Sequence, residues 1–280
     1  MRHDARDARQ QRVRSAAVDT SVVVGDRVRC RSIEPGEALI ETIHPRRTVL
    51  YRKSAGRTSQ PQVLAANVDQ LLAVFAAARP RPRWGLLDRY LATAEASGIR
   101  PILVLSKADL MTEDLEEELS AYRSLGYRVI VSSATTGAGI EELRSALQGK
   151  VSVLVGKSGV GKSSLLNAIE PEVGARVQAI GEGTHKGRHT TTQAAWFDLT
   201  GEGALIDTPG IREFGILVDG DVDQFFPEMR DRRHLCRFAP NCGHDSEPAC
   251  AVKEALEDGQ IVRWRYDSFL KLQREIRGRS

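Results

Sequence analysis

A glycine-rich stretch in the second half of the chain constrains its fold more than any other feature. Residues 151–167 read VSVLVGKSGVGKSSLLN: an apolar run typical of a strand leads into the pattern G-x-x-x-x-G-K-S and then into a helical pattern. The glycines let the backbone bend so that successive N–H groups point at phosphate oxygens, and the start of the helix adds partial positive charge. This order of strand, loop and helix predicts a binding loop for the phosphates of a nucleoside triphosphate.

The positions of this loop have predicted parts in nucleotide binding. We expect the Lys162 ammonium to reach the β- and γ-phosphates and the Ser163 hydroxyl to bind Mg²⁺, which enters with the nucleotide. The backbone N–H groups of the loop surround the phosphates. The predicted contacts are Gly156, Lys157, Ser158, Gly159, Val160, Gly161, Lys162, Ser163 and Ser164.

The composition excludes several classes of protein. Hydrophobic residues make up 41% and charged residues 28% of the 280 residues, as in globular proteins. No apolar run approaches the ~20 residues that a membrane span requires, and the N-terminus, MRHDARDARQQRVR, lacks the apolar core of a secretory signal. We therefore expect a cytoplasmic protein with no membrane partner, and we expect it to be a monomer.

The net charge of +3 is unevenly distributed along the chain. Residues 1–60 contain 13 Lys and Arg against 7 Asp and Glu, and residues 260–280 contain 6 against 2, so these two ends carry +6 and +4. Basic ends around a nearly neutral middle indicate a polyanionic partner, most simply RNA. An ordinary solvated surface with a flexible tail is the alternative that charge alone leaves open.

The first 60 residues differ in pattern from the rest. Residues 1–18 are Arg-rich with few apolar positions, and this composition predicts a disordered or weakly helical arm. Short β-type runs separated by turns follow, and they predict a small barrel of the oligonucleotide-binding (OB) type over residues 21–60. Residues 54–61, SAGRTSQP, have the composition of a linker.

From residue 61 onward, strand and helix patterns alternate. The predicted strands are 68–76, 102–105, 128–131, 151–155 and 203–206. The predicted helices are 83–97, 112–125, 140–147 and the one that follows the glycine-rich loop. This alternation predicts a doubly wound, mostly parallel α/β sheet whose ligand loops lie at the carboxyl ends of its strands.

Four polar motifs accompany the phosphate loop, and together the five resemble the motifs of the GTPase superfamily. They read SKAD at 106–109, SSA at 132–134, GRHTTT at 187–192 and DTPG at 207–210. The resemblance implies that Asp109 accepts hydrogen bonds from guanine N1–H and the 2-amino group, that Lys107 packs its stem over the base, and that the Ala134 N–H reaches guanine O6. Ser106 and Ser133 complete the predicted base-binding set.

The SKAD motif departs from the superfamily at its first residue. Ser106 stands where the superfamily has Asn, whose amide contacts guanine N7 and ties back to the phosphate loop. Guanine selectivity then rests mainly on Asp109. We expect a lower affinity, and a lower preference for GTP over ATP, than is usual for the superfamily.

The two motifs after the phosphate loop are implied to sense the γ-phosphate. Thr191 would ligate Mg²⁺, Asp207 would hold the ion through water, and the Gly210 N–H would touch the γ-phosphate. The predicted magnesium set is therefore Ser163, Thr191 and Asp207.

Catalysis needs a group that orients the attacking water. Many GTPases place Gln directly after the second of these motifs, but this chain has Ile211 there. We expect His189, beside the threonines of the first motif, to orient the water instead. Intrinsic hydrolysis should then be slow until a partner orders that loop.

The order of the motifs differs from that of ordinary GTPases, in which the phosphate loop comes first and the base motifs last. Here the base motifs at 106–109 and 132–134 precede the loop at 156–163. This order predicts a circularly permuted domain, which is tolerated because the sheet stays intact while the chain ends move.

Three cysteines and one histidine lie close together near the C-terminus. A Cys₃His set is typical of one structural Zn²⁺ per chain, since four protein ligands leave no open position, and the intervening residues are loop formers. Two helix patterns follow, at 251–257 and 260–276, and the second is basic, with Arg263, Arg265, Lys271, Arg274 and Arg277. We expect this helix to pack by one face and to offer the other to RNA. The predicted zinc ligands are Cys236, Cys242, His244 and Cys250.

Taken together, these features resemble the ribosome-small-subunit-dependent GTPase A family, the circularly permuted GTPases of small-subunit assembly. Besides the motifs above, the resemblance includes VGDRV at 24–28, NVDQ at 67–70 and LDRYL at 87–91. It implies a circularly permuted P-loop GTPase domain flanked by an N-terminal OB-type β-barrel and a C-terminal helical zinc-binding domain. The Arg-rich arm replaces the residues that the family has before the VGDRV segment, so we expect a truncated barrel. The implied division is a basic arm at 1–20, a partial OB-like barrel at 21–60, the GTPase domain at 61–218 and the zinc domain at 219–280.

The resemblance also implies a function. The chain would be a GTP hydrolase that binds GTP and GDP, contacts the small (30S) ribosomal subunit and 16S-type rRNA, and is stimulated by that subunit late in its maturation. One alternative is an RNA- or ribosome-binding protein whose nucleotide is structural or weakly turned over. Another is a phosphate-loop kinase or ATPase, for which the match of Asp109 and Ala134 to the guanine-binding motifs would be a coincidence.

Overall fold

The computed structural model describes residues 12–15, 22–53, 61–112, 115–175, 194–207 and 221–277. The strands are β1 Arg12–Ser15, β2 Val28–Glu34, β3 Glu37–Ile43, β4 Val49–Lys53, β5 Pro61–Ala66, β6 Gln70–Ala76, β7 Arg100–Ser106, β8 Arg128–Val131, β9 Val151–Val155, β10 Ala195–Asp198 and β11 Ala204–Asp207. The helices are α1 Trp84–Ala96, α2 Glu116–Ser124, α3 Ile140–Leu147, α4 Lys162–Ile169, α5 Pro227–Arg230, α6 Ala251–Glu257 and α7 Arg263–Arg277.

A six-stranded sheet organises the middle of the chain. Its order is β10-β11-β9-β6-β7-β8, and all neighbours are parallel except β10, which runs antiparallel to β11. The predicted mostly parallel sheet is therefore confirmed. The carboxyl ends of β6, β7, β8, β9 and β11 share one edge, and the motifs within the described residues (SKAD, SSA and the glycine-rich loop) lie at the ends of β7, β8 and β9 there.

The central strand β6 explains why helices cover both faces of the sheet. All of its residues are buried, and alternate side chains enter two different cores. Leu71 and Phe75 pack in the core that contains α1 and α2, whereas Leu72 and Val74 pack in the core that contains α3 and α4.

The N-terminal strands form two small sheets among the described residues. β1 pairs with β3 in parallel and β2 with β3 antiparallel, while β4 and β5 form an antiparallel pair. An isolated parallel bridge between Val24, which precedes β2, and Ala65 of β5 links the start of this region to the β4–β5 pair. The β4–β5 pair spans the predicted linker and the predicted boundary at residue 60. An OB-type barrel stays a prediction.

The C-terminal helices are attached to the sheet domain by a buried ionic cluster. Arg265 of α7 donates to both carboxylate oxygens of Glu228 on α5, at 2.6 and 2.9 Å, and to Asp88 of α1 at 2.6 Å. Asp88 also accepts from the Tyr122 hydroxyl at 2.7 Å. Arg265, one of the basic residues predicted for this helix, therefore lies on the packed face, where its guanidinium pairs with two buried carboxylates. Among the described residues, none of the helices combines the length and the apolar composition that crossing a bilayer would require.

Candidate nucleotide and metal sites

The glycine-rich loop has a backbone that side chains would disrupt. Gly156, Gly159 and Gly161 have φ values of +153°, +80° and +93°, and α4 begins directly after Gly161. A Cβ added to Gly156 would lie 2.4 Å from the backbone oxygen of Val74 on β6. Glycine at this position thus lets the loop pass close to the end of the neighbouring strand.

Charged and hydroxyl groups surround this loop. The Lys162 ammonium donates to the carbonyls of Gly156 at 2.7 Å and Lys157 at 2.9 Å, so it lies over the loop. Ser158, Ser163 and Ser164 are exposed, whereas Val160 is buried in the core. Val160 can therefore serve a ligand only through its backbone.

A cavity of about 260 Å³ joins this loop to the ends of β7 and β8. The Lys107 ammonium donates to the carbonyls of Gly159 at 2.7 Å and Arg79 at 2.6 Å, so its stem runs along the cavity wall. The cavity is lined by Arg79, Ser106, Lys107, Asp109, Leu110, Ala134, Thr135, Gly161, Ser164 and Leu165. The fold therefore places base-motif residues next to the phosphate loop, although they precede it in the sequence.

The carboxylate of Asp109 is oriented by a neighbour. The Ser133 hydroxyl donates to Asp109 Oδ1, and Ser133 Oγ accepts from the N–H groups of Thr135 at 3.3 Å and Thr136 at 3.2 Å. These bonds leave the second carboxylate oxygen of Asp109 for a ligand that offers donors, as the Watson–Crick edge of guanine does.

Some predicted residues stand apart from this cavity or outside the described part of the chain. Asp207 ends β11 at the same edge of the sheet. His189, Thr191 and Gly210 lie outside the described residues.

Sequence reasoning missed Arg79, which lines the cavity although it belongs to no motif. Arg79 lies three residues after β6, at the ligand edge of the sheet, and this position is the signal that could have indicated it.

The cysteines and the histidine form a second site. The ligand atoms of Cys236, Cys242, His244 and Cys250 lie within 4.8 Å of one another, and all four residues are buried. The sulfurs of Cys236 and Cys250 are 3.9 Å apart, close to the ~3.8 Å that a tetrahedron with Zn–S bonds of about 2.3 Å implies. The residues present therefore fit a tetrahedral metal ion.

The histidine and the thiols are arranged for coordination. His244 Nδ1 is 3.3 Å from Cys250 Sγ and 3.5 Å from Cys236 Sγ, so Nδ1 is the nitrogen that faces the thiols. Burial raises the pKa of the Cys242 thiol to about 12 and also raises that of Cys250. A cation must therefore displace thiol protons as it binds.

The chain is similar to known proteins over most of its length. The family model described as RsgA GTPase matches residues 43–217. The chain is 48% identical over 255 residues to the small ribosomal subunit biogenesis GTPase RsgA of Azotobacter vinelandii, covering 89% of this chain and 73% of that protein. It is 44% identical over 264 residues to the protein of the same name from Gemmatimonas aurantiaca, covering 92% and 86%.

Two crystal structures are similar over nearly the whole chain. That of YjeQ from Thermotoga maritima superposes with a TM-score of 0.75 at 33% identity, covering 96% of this chain and 90% of the other. That of YloQ, described as a circularly permuted GTPase, superposes with a TM-score of 0.71 at 31% identity, covering 96% and 87%. The predicted permutation is thereby confirmed as the architecture of this chain.

Proposed function

Because this chain belongs to the RsgA GTPase family, we propose that it is a GTP hydrolase that acts in biogenesis of the small ribosomal subunit, in the cytoplasm. The observation that carries the choice of nucleotide is the cavity between the phosphate loop and Asp109. An oriented carboxylate at one end and a phosphate loop at the other suit a base with adjacent N–H donors joined to a phosphate chain.

We assign the separate tasks of hydrolysis to separate residues. The loop N–H groups and Lys162 hold the β- and γ-phosphates, and the cleaved bond joins the γ-phosphorus to the oxygen that leaves with GDP. Mg²⁺ bound by Ser163, Thr191 and Asp207 would neutralise charge on the phosphates. His189 orients the attacking water. The exposed hydroxyl of Ser163 and the position of Asp207 at the end of β11 support this assignment.

We assign one structural Zn²⁺ to Cys236, Cys242, His244 and Cys250. The four buried ligands fill a tetrahedral set, which supports a structural rather than a catalytic ion. The proposed division of the chain remains an arm at 1–20, an OB-like region at 21–60, the GTPase domain at 61–218 and the zinc domain at 219–280.

We assign rRNA of the small subunit as the partner of the basic surfaces. Arg29 and Arg31 on β2 have side chains that are 63% and 64% exposed, and the side chains of Arg263 and Arg274 on α7 are 75% and 66% exposed. Each of these arginines pairs with a surface carboxylate, and such exposed pairs are weak enough for RNA phosphates to compete for the guanidinium groups.

Hydrolysis assays with ribosomal subunits test this proposal. We expect small subunits to raise the rate of GTP hydrolysis by on the order of tenfold or more, and large subunits to leave it unchanged. In His189→Ala, the stimulation should disappear while GTP binding persists. GTP binding without stimulated turnover in the wild type would instead favour the alternative of an RNA-binding protein with a structural nucleotide.

Base selection has a separate test. In Asp109→Asn, the amide can donate to the C2 carbonyl of xanthine but cannot accept from both N–H groups of guanine. We expect the affinity for GTP to fall by on the order of 100-fold and that for XTP to rise. Unchanged GTP affinity in this variant, or preference of the wild type for ATP, contradicts the assignment.

A further inference from the structure

A buried carboxylate lies directly behind the metal-binding histidine. Asp223, in the short 3₁₀ turn Val222–Phe225, is 3% exposed, and its Oδ2 is 3.4 Å from His244 Nε2. The other carboxylate oxygen, Oδ1, is buried and has no hydrogen-bond partner among the described residues. A buried carboxylate is stable only where neighbours compensate its charge, so its position next to His244 needs a physical reason.

The orientation of the imidazole supplies that reason. His244 Nδ1 faces the thiols of Cys236 and Cys250, so Nε2 points away from them and toward Asp223. A nitrogen that binds a metal cannot carry a proton, and the proton of the neutral ring must then be on Nε2. A carboxylate at Nε2 accepts a hydrogen bond from that tautomer and disfavours the other.

Charge compensation comes from Arg233. Its Nε is 3.1 Å from Asp223 Oδ2, and its Nη2 reaches Asp221 at 2.9 Å and the carbonyl of Pro240 at 3.3 Å. Three thiolates around a divalent ion carry one net negative charge, and Asp223 adds a second. The guanidinium offsets this charge and also holds the loop between Cys236 and Cys242.

We propose that Asp223 is a positioning residue of the metal centre that fixes His244 as an Nδ1 ligand. The proposal rests on the zinc site assigned under the proposed function.

Zinc affinity in two matched variants tests the role of Asp223. Asp223→Asn keeps the shape but weakens the acceptor for Nε2–H, and Asp221→Asn removes a contact of the same Arg233 without touching His244. In chelator competition with the full chain, we expect Asp223→Asn to bind Zn²⁺ on the order of 10- to 100-fold more weakly than the wild type. Asp221→Asn should stay within about twofold of it. Equal affinities for the wild type and both variants, or equal losses in the two variants, overturn the proposal.

A second measurement needs no substitution. In the zinc-loaded wild type, ¹⁵N NMR of the histidine rings should show one ring with a metal-bound Nδ1 and a protonated Nε2. Coordination through Nε2 overturns the proposal even if the variants do not fold. Absence of any zinc binding by the wild type refutes the site itself, so the two failures can be distinguished.

Discussion

The Ser106 hydroxyl has one proton, and two backbone carbonyls compete for it. Its oxygen is 3.1 Å from the carbonyl oxygen of Phe75 on β6 and is also hydrogen-bonded to the carbonyl of Val160 in the phosphate loop. The side chain is only 1% exposed. Ser106 therefore ties the phosphate loop to the end of a central strand, and it has no proton left to donate to guanine N7.

This bonding predicts that guanine N7 contributes little to the affinity of the wild type for GTP. We expect 7-deaza-GTP, which lacks N7, to bind the wild type within about twofold of GTP. In Ser106→Asn, an amide donor can reach N7, and 7-deaza-GTP should then bind more weakly than GTP by roughly 1 kcal/mol, or about fivefold. Competition against a fluorescent GDP analogue measures both. A tenfold loss for 7-deaza-GTP in the wild type contradicts the prediction.

Gly156 permits a second prediction for a single residue. In Gly156→Ala, the new methyl group meets a backbone oxygen of β6 that cannot move aside, so we expect loss of nucleotide binding and a cost of about 2 kcal/mol or more in the free energy of unfolding. Gly137→Ala is the control, because Gly137 also has a positive φ, +81°, but no atom lies within 4 Å of its added Cβ. It should cost about 1 kcal/mol and leave nucleotide binding intact. Calorimetry with and without GDP measures both, and similar effects in the two variants would show that the close contact with Val74 is unimportant.

Among the elements, α7 is attached to α1 by the buried ion pair of Arg265 with Asp88, by the Arg89–Glu275 pair and by contact between the Trp84 and Trp264 rings. Burial opposes the charge of Arg265, but Asp88 and Glu228 outweigh it and raise the pKa of Arg265 well above its usual value. Arg265→Ala leaves two buried carboxylates without their cation, and we expect a loss of about 3–5 kcal/mol in the free energy of unfolding. Arg263→Ala, two residues earlier in the same helix, removes an exposed pair with Asp267 and should lower the free energy of unfolding by less than about 0.5 kcal/mol. Urea denaturation compares them; equal losses refute the argument.

The sequence predicted those elements that carry their own pattern. β8, β9, α3 and α6 begin and end where periodicity places them, because each is bounded by turn or loop residues. β1, β5 and β10 were missed, and the prediction of a disordered or weakly helical arm is wrong for residues 12–15, which form β1. All three strands are short, and each forms by pairing with a neighbour in space, β3, β4 and β11 respectively, which local pattern does not reveal.

The same distinction holds for the sites. SKAD, the glycine-rich loop and the cysteine–histidine cluster are short motifs whose internal spacing survives permutation, so residue types alone predicted described residues that the fold brings together. Arg79, Asp223 and Arg265 belong to no motif. Asp88 and Arg265 are 177 positions apart in sequence, and only the packing of α7 on α1 brings them together.

At the scale of the whole molecule, three separate cores predict how the chain responds to loss of metal. Cys236, Cys242 and Cys250 belong to the core that holds α6 and much of α7, whereas the two cores of the sheet contain none of them. The stretch between Cys236 and Cys250 has few apolar residues, so metal binding supplies part of the folding free energy of this core, and chelation of zinc should loosen residues 221–262. The ion pair between Arg265 and Asp88, which lies outside residues 221–262 and needs no metal, should keep α7 on α1.

Hydrogen exchange measured by mass spectrometry, before and after chelation, tests this expectation. We expect faster exchange over residues 221–262, unchanged exchange over β6, β7 and β9, and unchanged affinity for GDP, since the base cavity contains no residue of the third core. A control chelator already saturated with zinc should have no effect. Uniformly faster exchange across the sheet would mean that the metal stabilises the molecule as one cooperative unit, and that the three cores are not energetically separate.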